Sequence, residues 1–374
     1  QLFAPSLEKM IALKQQEAEA VGYAKSPYDA LADSYEPGMT AEIIQTVFQN
    51  IRPQLKKLLT KVVSASQIED QFLYQSIARQ QQIDFASEVV QQLGYRFHNG
   101  RQDLSTHPFS ISFSPEDVRI TTKYVDQDIL SMLYSSIHEA GHAIYEQSLN
   151  PEEYGMPAAE ACSLSIHESQ SRIWENNVGR SFAFWEYWFP KFAALYPKQL
   201  AGKTIEDVFR AINKTQPSLI RIEADELTYH FHVMLRFETE LALIEGTLKV
   251  ADLPAFWNAK VSEYLGVTVP SDALGVLQDV HWSHGSFGYF PTYSLGSFYA
   301  AQFYAKAQQQ IPDLENQFRN GDFLAFRTWL QKEIHSKGKL YSSEEICEMV
   351  TGERLNPEYF LRYIESKLNT VYRL

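Results

Sequence analysis

Cysteine is scarce in this sequence: 374 residues hold only Cys162 and Cys347, without a C-x-x-C pair or the spacing of a disulfide framework. That excludes a small secreted scaffold stapled by disulfides, fits a reducing compartment, and makes the cytoplasm the predicted location. Cys162 as a nucleophile is weighed and set aside, because a small buried cysteine is the commoner case. No apolar run reaches the roughly 18 residues of a membrane span, and no charged start followed by an apolar segment marks a signal peptide. Basic residues are outnumbered, 33 Lys and Arg against 46 Asp and Glu for a net charge of −13, so neither nucleic acid nor an anionic membrane is a predicted partner. The 17 Gly and 16 Pro form no linker or low-complexity tract, and 45% hydrophobic residues are enough for a large core. Residues 1–374 are therefore read as a single domain, although an opening on Gln1 instead of Met leaves room for a processed or truncated start.

Strand signals are equally rare. Only FSISFSPEDVRITTKY (109–124) alternates apolar and polar residues, about a central SPED, and it predicts a β-hairpin. Elsewhere apolar residues recur three and four apart, predicting helices over 5–22, 40–62, 66–94, 128–149, 158–179, 204–214, 220–246, 254–265, 294–309, 321–334, 343–350 and 356–368. PYDAL and YEPGMT read as breakers between the first two. The predicted fold is mainly α, one large helical domain with a small β-hairpin.

The helix after the hairpin carries SSIHEAGHAIYEQSL (135–149). Four helical residues turn about 400°, so His138 and His142 stack about 6 Å apart on one face and both imidazoles can reach one ion. Glu139 is rotated about 100° away, outside the ligand set but beside any water on the ion, where a base is useful. The alternative is a pair of ordinary histidines on a wet helix face. A catalytic zinc site takes three protein ligands and an open position. Glu168 in SIHESQS lies 26 residues after His142, room for one helix to end, turn and return, so residues 128–180 are read as a metal-binding helix pair. Carboxylates that hold the ligand imidazoles are also expected, with Asp225 or Glu226 of IRIEADELTY as candidates. A Gly-punctuated loop, LGVLQDVHWSHGSFGYFPTYSLGSF (274–298), gathers His281, His284, Tyr289 and Tyr293, the composition of a site or of a packed aromatic corner.

Six ordered segments together resemble the M32 (carboxypeptidase Taq) family of metallocarboxypeptidases. They are PYDALADSYEPGMT, HPFSISFSPEDVRITTKY, HEAGHA, HESQS, IRIEADELTY and LQDVHWSHGSFGYFPTY, and the resemblance covers nearly the whole chain. It implies a helical fold with a deep groove, one divalent metal, zinc or in some members cobalt, on His138, His142 and Glu168, Glu139 as base, and a homodimer. It also implies removal of single residues from peptide C-termini. Family members carry roughly a hundred further residues before the point where this chain begins, so the resemblance implies a chain without its N-terminal part.

A carboxypeptidase has to recognise a free carboxylate, which the forked guanidinium of arginine does best. Arg221 is the first candidate and Arg119 the second, a structural ion pair being the alternative for each, with Asp117 a ready partner for Arg119. Tyr293, then Tyr289, with His281, are the candidate donors to the developing oxyanion. The strand DVRITTKY is expected to pair with an extended substrate, which would give broad specificity. A zinc endo- or oligopeptidase of the same helical type, and a non-enzymatic metal-bound scaffold, are the competing readings.

Overall fold

Side-chain oxygens start many of the helices in the computed structural model, which describes residues 2–374. The chain opens with α1 (Ala4–Val21), α2 (Pro27–Asp33), α3 (Ala41–Ser64) and α4 (Arg79–Leu93), followed by strands β1 (Gln102–Leu104), β2 (Ser110–Ser114) and β3 (Asp117–Thr122). Next come α5 (Ser131–Gln147), α6 (Leu164–Arg172) with a π-helical turn Ile173–Val178, α7 (Phe182–Leu195), α8 (Ile205–Ile212), α9 (Tyr229–Ile244) and α10 (Leu253–Leu265). The last are α11 (Pro291–Gln310), α12 (Leu314–Arg319), α13 (Leu324–Glu333), α14 (Ser343–Thr351) and α15 (Glu358–Tyr372). Ser26, Thr40, Ser163, Ser181, Thr204 and Ser342 accept backbone N–H groups at the starts of α2, α3, α6, α7, α8 and α14.

The mainly helical reading holds, and several of its details do not. PYDAL is a helix and not a breaker, because Ser26 and Asp29 form a capping box around Pro27 at the first helical position. Residues 66–78 hold only a 3₁₀ turn before α4, and α9 starts at Tyr229 and not at 220. Helix α7 escapes the periodicity test because aromatics surround it: Phe184, Trp185, Trp188 and Phe192 are buried while Phe182 and Tyr187 are exposed, and Pro190 sits inside it. The hairpin at 110–122 gains a third strand, since β1 pairs parallel to β3 on the side away from β2. DVRITT is thus the central strand with both edges occupied, so it cannot pair with a substrate; the open edge next to it belongs to β2.

Helix α5 lies at the centre. The sheet rests on it, with Thr122 Oγ1 donating to Met132 O at 3.1 Å and Gln102 Nε2 donating to Ser136 Oγ at 2.8 Å. Its other neighbour, α6, comes very close: a Cβ on Gly141 would stand 2.6 Å from Ser171 Cα, and one on Gly296 of α11 would stand 2.7 Å from Glu168 Cβ. Only glycine lets α5 and α11 close on α6 from two sides. The buried side chains form one contiguous core.

A buried carboxylate joins three distant segments. Glu240 on α9 accepts from Tyr28 Oη at 2.9 Å, Trp282 Nε1 at 2.9 Å and Gly288 N at 3.0 Å. Burial nevertheless pushes its pKa up to about 7, the three donors offsetting part of that rise. The folded pKa lies above the ordinary Glu value, so this group's contribution is intact below about pH 4.5 and is lost as pH rises through 7. Relative to Glu240→Gln, the unmodified chain is expected to lose up to about 3 kcal/mol of stability between pH 4.5 and 8. Urea unfolding of the metal-free pair across that range measures it, and a constant difference between the two would refute it.

Candidate metal centre and cleft

Two neighbouring helices bring the candidate ligands together. On α5, His138 and His142 place their ring centroids 5.0 Å apart. From α6, Glu168 Oε2 lies 3.8 Å from His138 Nε2 and 3.4 Å from His142 Nε2, and one ligand atom from each of the three residues falls within 4.8 Å of the others. Two imidazole nitrogens and a carboxylate oxygen converging with nothing between them fit a divalent ion of intermediate softness. Helix α6 is fixed at its start by its own cap, Ile166 N donating to Ser163 Oγ, and from outside, where Leu164 N donates to Tyr35 O and Ser165 N to Glu36 Oε2. The YEPGMT segment, read in the sequence as a breaker, therefore positions the helix that bears Glu168.

The groups behind the ligands differ from those expected. Neither Asp225 nor Glu226 holds an imidazole. Asp225 accepts from Gln216 N, Leu227 N, Thr228 N and Thr228 Oγ1 ahead of α9, and Glu226 pairs with Lys367 at 2.8 Å. His138 Nδ1 instead meets Glu175 Oε2 at 2.9 Å, and His142 Nδ1 meets His167 Nδ1 at 2.6 Å. Glu175 lies on the π-helical turn, a local widening that often accompanies a site. Arg172 links the carboxylates, donating from Nε to Glu168 Oε1 at 2.7 Å and from NH1 to Glu175 Oε2 at 3.2 Å, while Arg180 reaches Glu175 Oε1 at 3.3 Å. The sequence reading missed Glu175, Arg172 and Arg180; the only trace of Glu175 and Arg172 is spacing, 7 and 4 residues beyond Glu168 on a helix already predicted, and Arg180 falls just past its end.

Charge follows from these neighbours. Burial raises the pKa of Glu168 and Glu175, but Arg172 and the histidines outweigh it and hold both well below the usual carboxylate range. Glu139 has no such cation against it: burial, with only partial relief from His138, pushes it up to about 7. Burial also takes His142 down to about 4, leaving its imidazole neutral and able to ligate.

A cleft of about 1230 Å³ opens over this centre. Its wall includes His138, Glu139, His142 and Glu168 together with Arg221, Tyr289 and Tyr293. His281 stands behind Tyr293, with Nε2 3.1 Å from its Oη, and is not itself on the wall. Arg221 is buried and partly engaged, by Asp279 through Nε at 3.0 Å and NH2 at 2.9 Å and by Tyr229 Oη at 3.0 Å. Two of its five N–H groups remain for a ligand. Arg119 is not on the wall; it is exposed, paired with Asp117 at 2.7 Å and laid over Phe113. The ion-pair alternative is thus the one its geometry shows.

The chain is similar to known proteins. Residues 1–368 match the carboxypeptidase Taq (M32) metallopeptidase family. The chain belongs to that family. Thermostable carboxypeptidase 1 of Thermus thermophilus is 42% identical over 99% of this chain and 74% of its own length, and carboxypeptidase 1 of Bacillus subtilis is 38% identical over 100% and 75%. The crystal structure of the M32 carboxypeptidase of Deinococcus radiodurans, 41% identical, superposes with a TM-score of 0.97 over 99% of this chain and 75% of that one. This M32 chain thus spans about three quarters of the length of those relatives, and it is a metallocarboxypeptidase, a metal-dependent peptide hydrolase.

Proposed function

We propose that this M32 carboxypeptidase releases residues one at a time from free peptide C-termini, with His138, His142 and Glu168 holding one divalent ion, zinc before cobalt. The observation that carries the reading is the convergence of those three donors in the cleft wall beside Glu139. When bound, such an ion polarises a peptide carbonyl and acidifies water. Glu139, with a pKa near 7 and a place on the same wall, takes the proton of the attacking water and passes it to the leaving amine. Tyr293, backed by His281, donates to the oxyanion, with Tyr289 as the second donor 5.1 Å away between ring centroids. Arg221 takes the substrate carboxylate on its two uncommitted N–H groups, held in place by Asp279. Main-chain pairing along the open edge of β2, whose Ser110 lies on the cleft wall, supports broad tolerance of sequence. A homodimer follows from the family resemblance, and a cytoplasmic location from the two free thiols.

The test is a pool of peptides with free C-termini beside the same pool C-terminally amidated and N-acylated, followed by mass spectrometry with a chelator and with restored zinc or cobalt. Stepwise, metal-dependent shortening of the free pool alone is expected. Internal cuts in the blocked pool would establish an oligopeptidase, and bound metal with no turnover a scaffold.

A further inference from the structure

The two ligand histidines are backed by different chemistry. His138 Nδ1 faces a carboxylate, Glu175, directly at 2.9 Å. His142 Nδ1 faces another imidazole nitrogen, His167 Nδ1 at 2.6 Å, and His167 Nε2 in turn faces Glu146 Oε1 at 2.8 Å. The side chains of His142, His167 and Glu146 are all largely buried, at 16%, 18% and 18% exposure.

Donor and acceptor rules leave this chain one neutral solution. Two nitrogens 2.6 Å apart can share only one hydrogen. Glu146 as a carboxylate can only accept, so His167 carries its hydrogen on Nε2. Neutral His167 then offers a bare lone pair at Nδ1, and His142 has to carry its hydrogen on Nδ1. That leaves the His142 lone pair on Nε2, the atom 3.4 Å from Glu168 Oε2 in the converging donor set. Glu146, one helical turn past His142 on α5, thereby dictates the tautomer of a metal ligand through a residue on α6.

We propose that His167 and Glu146 form a positioning relay that presents His142 Nε2 to the metal, and that His167 acts by accepting a hydrogen bond and not by filling space. The inference rests on the metal-site reading above. Its consequence is that the two histidines are fixed independently, one by an ion-paired carboxylate and one by a neutral imidazole, so damage to the relay loosens one ligand without touching the other.

The experiment is zinc titration of the metal-free full chain against a chromophoric chelator, with circular dichroism and thermal unfolding of the metal-free proteins beside it. His167→Leu removes the acceptor and is expected to weaken zinc binding 10- to 100-fold. His167→Asn places Oδ1 near the position of Nδ1 and is expected to bind within about threefold of the unmodified chain. Glu146→Leu, which leaves His167 Nε2 without an acceptor, is expected to lose about tenfold, and it serves if His167→Leu does not fold. Equal losses in the His167→Leu and His167→Asn variants, or unmodified affinity in His167→Leu or Glu146→Leu, would overturn the relay. Absence of zinc binding by the unmodified chain would instead remove the metal-site reading on which the relay stands.

Discussion

Glu139→Gln is expected to keep its bound metal and to lose peptide hydrolysis by about 10³- to 10⁴-fold in kcat/KM. Glutamine has the volume and shape of glutamate but cannot carry a proton between water and a leaving amine. Residue 139 is outside the converging donor set, which is His138, His142 and Glu168, so zinc affinity should stay within a few-fold of the unmodified chain. The fold should also survive: Glu139 is 93% buried, and burial disfavours its charge, so a neutral side chain there removes a desolvation cost. Single-turnover hydrolysis of a free-C-terminus peptide and a chelator titration together check it. Activity within tenfold of the unmodified chain would show that another group moves the proton.

Arg172→Met is expected to destabilise the metal-free protein by about 3–5 kcal/mol, a far larger effect than loss of a surface ion pair. Arg172 is 16% exposed and lies between Glu168 and Glu175, which are 7% and 12% exposed. Methionine keeps most of the volume and its packing on Tyr229, where the guanidinium now sits 4.6 Å from the ring centroid. What it cannot keep is the positive charge that allows two buried carboxylates to stay ionised side by side. Part of the loss should return on adding zinc, because an ion on Glu168 supplies charge of the same sign. Thermal and urea unfolding with and without zinc measure both parts, and a loss below about 1 kcal/mol would show that the two carboxylates are stabilised without Arg172.

The candidate metal centre was legible because its information is local. His138 and His142 are four residues apart on one helix, and a helix places such residues on one face whatever surrounds it. Glu168 was within reach because the next predicted helix had to return across the first. The hairpin was legible for the same reason, through alternation about SPED. Helix α7 was not, since a segment with aromatics on every side has no period to read, and neither was β1, three residues long with no alternation of its own.

Partner choice is another matter. Asp225 and Glu226 were reasonable carboxylates for the imidazoles by sequence neighbourhood, yet Asp225 is spent on backbone N–H groups before α9 and Glu226 on Lys367. Arg119 sits two residues from Asp117, on a strand where such residues share a face, and the pair closes on itself. Arg221 reaches the cleft wall only because Asp279, 58 residues away, holds its fork.

By itself, then, the sequence determined the helical class, the candidate ligand pair with Glu139 beside it, and the helix that carries Glu168, because each follows from spacing within one element. Tertiary structure alone decided which group backs each histidine, which strand edge is open and which arginine faces the cleft. Those outcomes depend on two elements meeting at a distance and angle set by packing, here by the glycines that let α5 and α11 close on α6, and no regularity within a single segment records them.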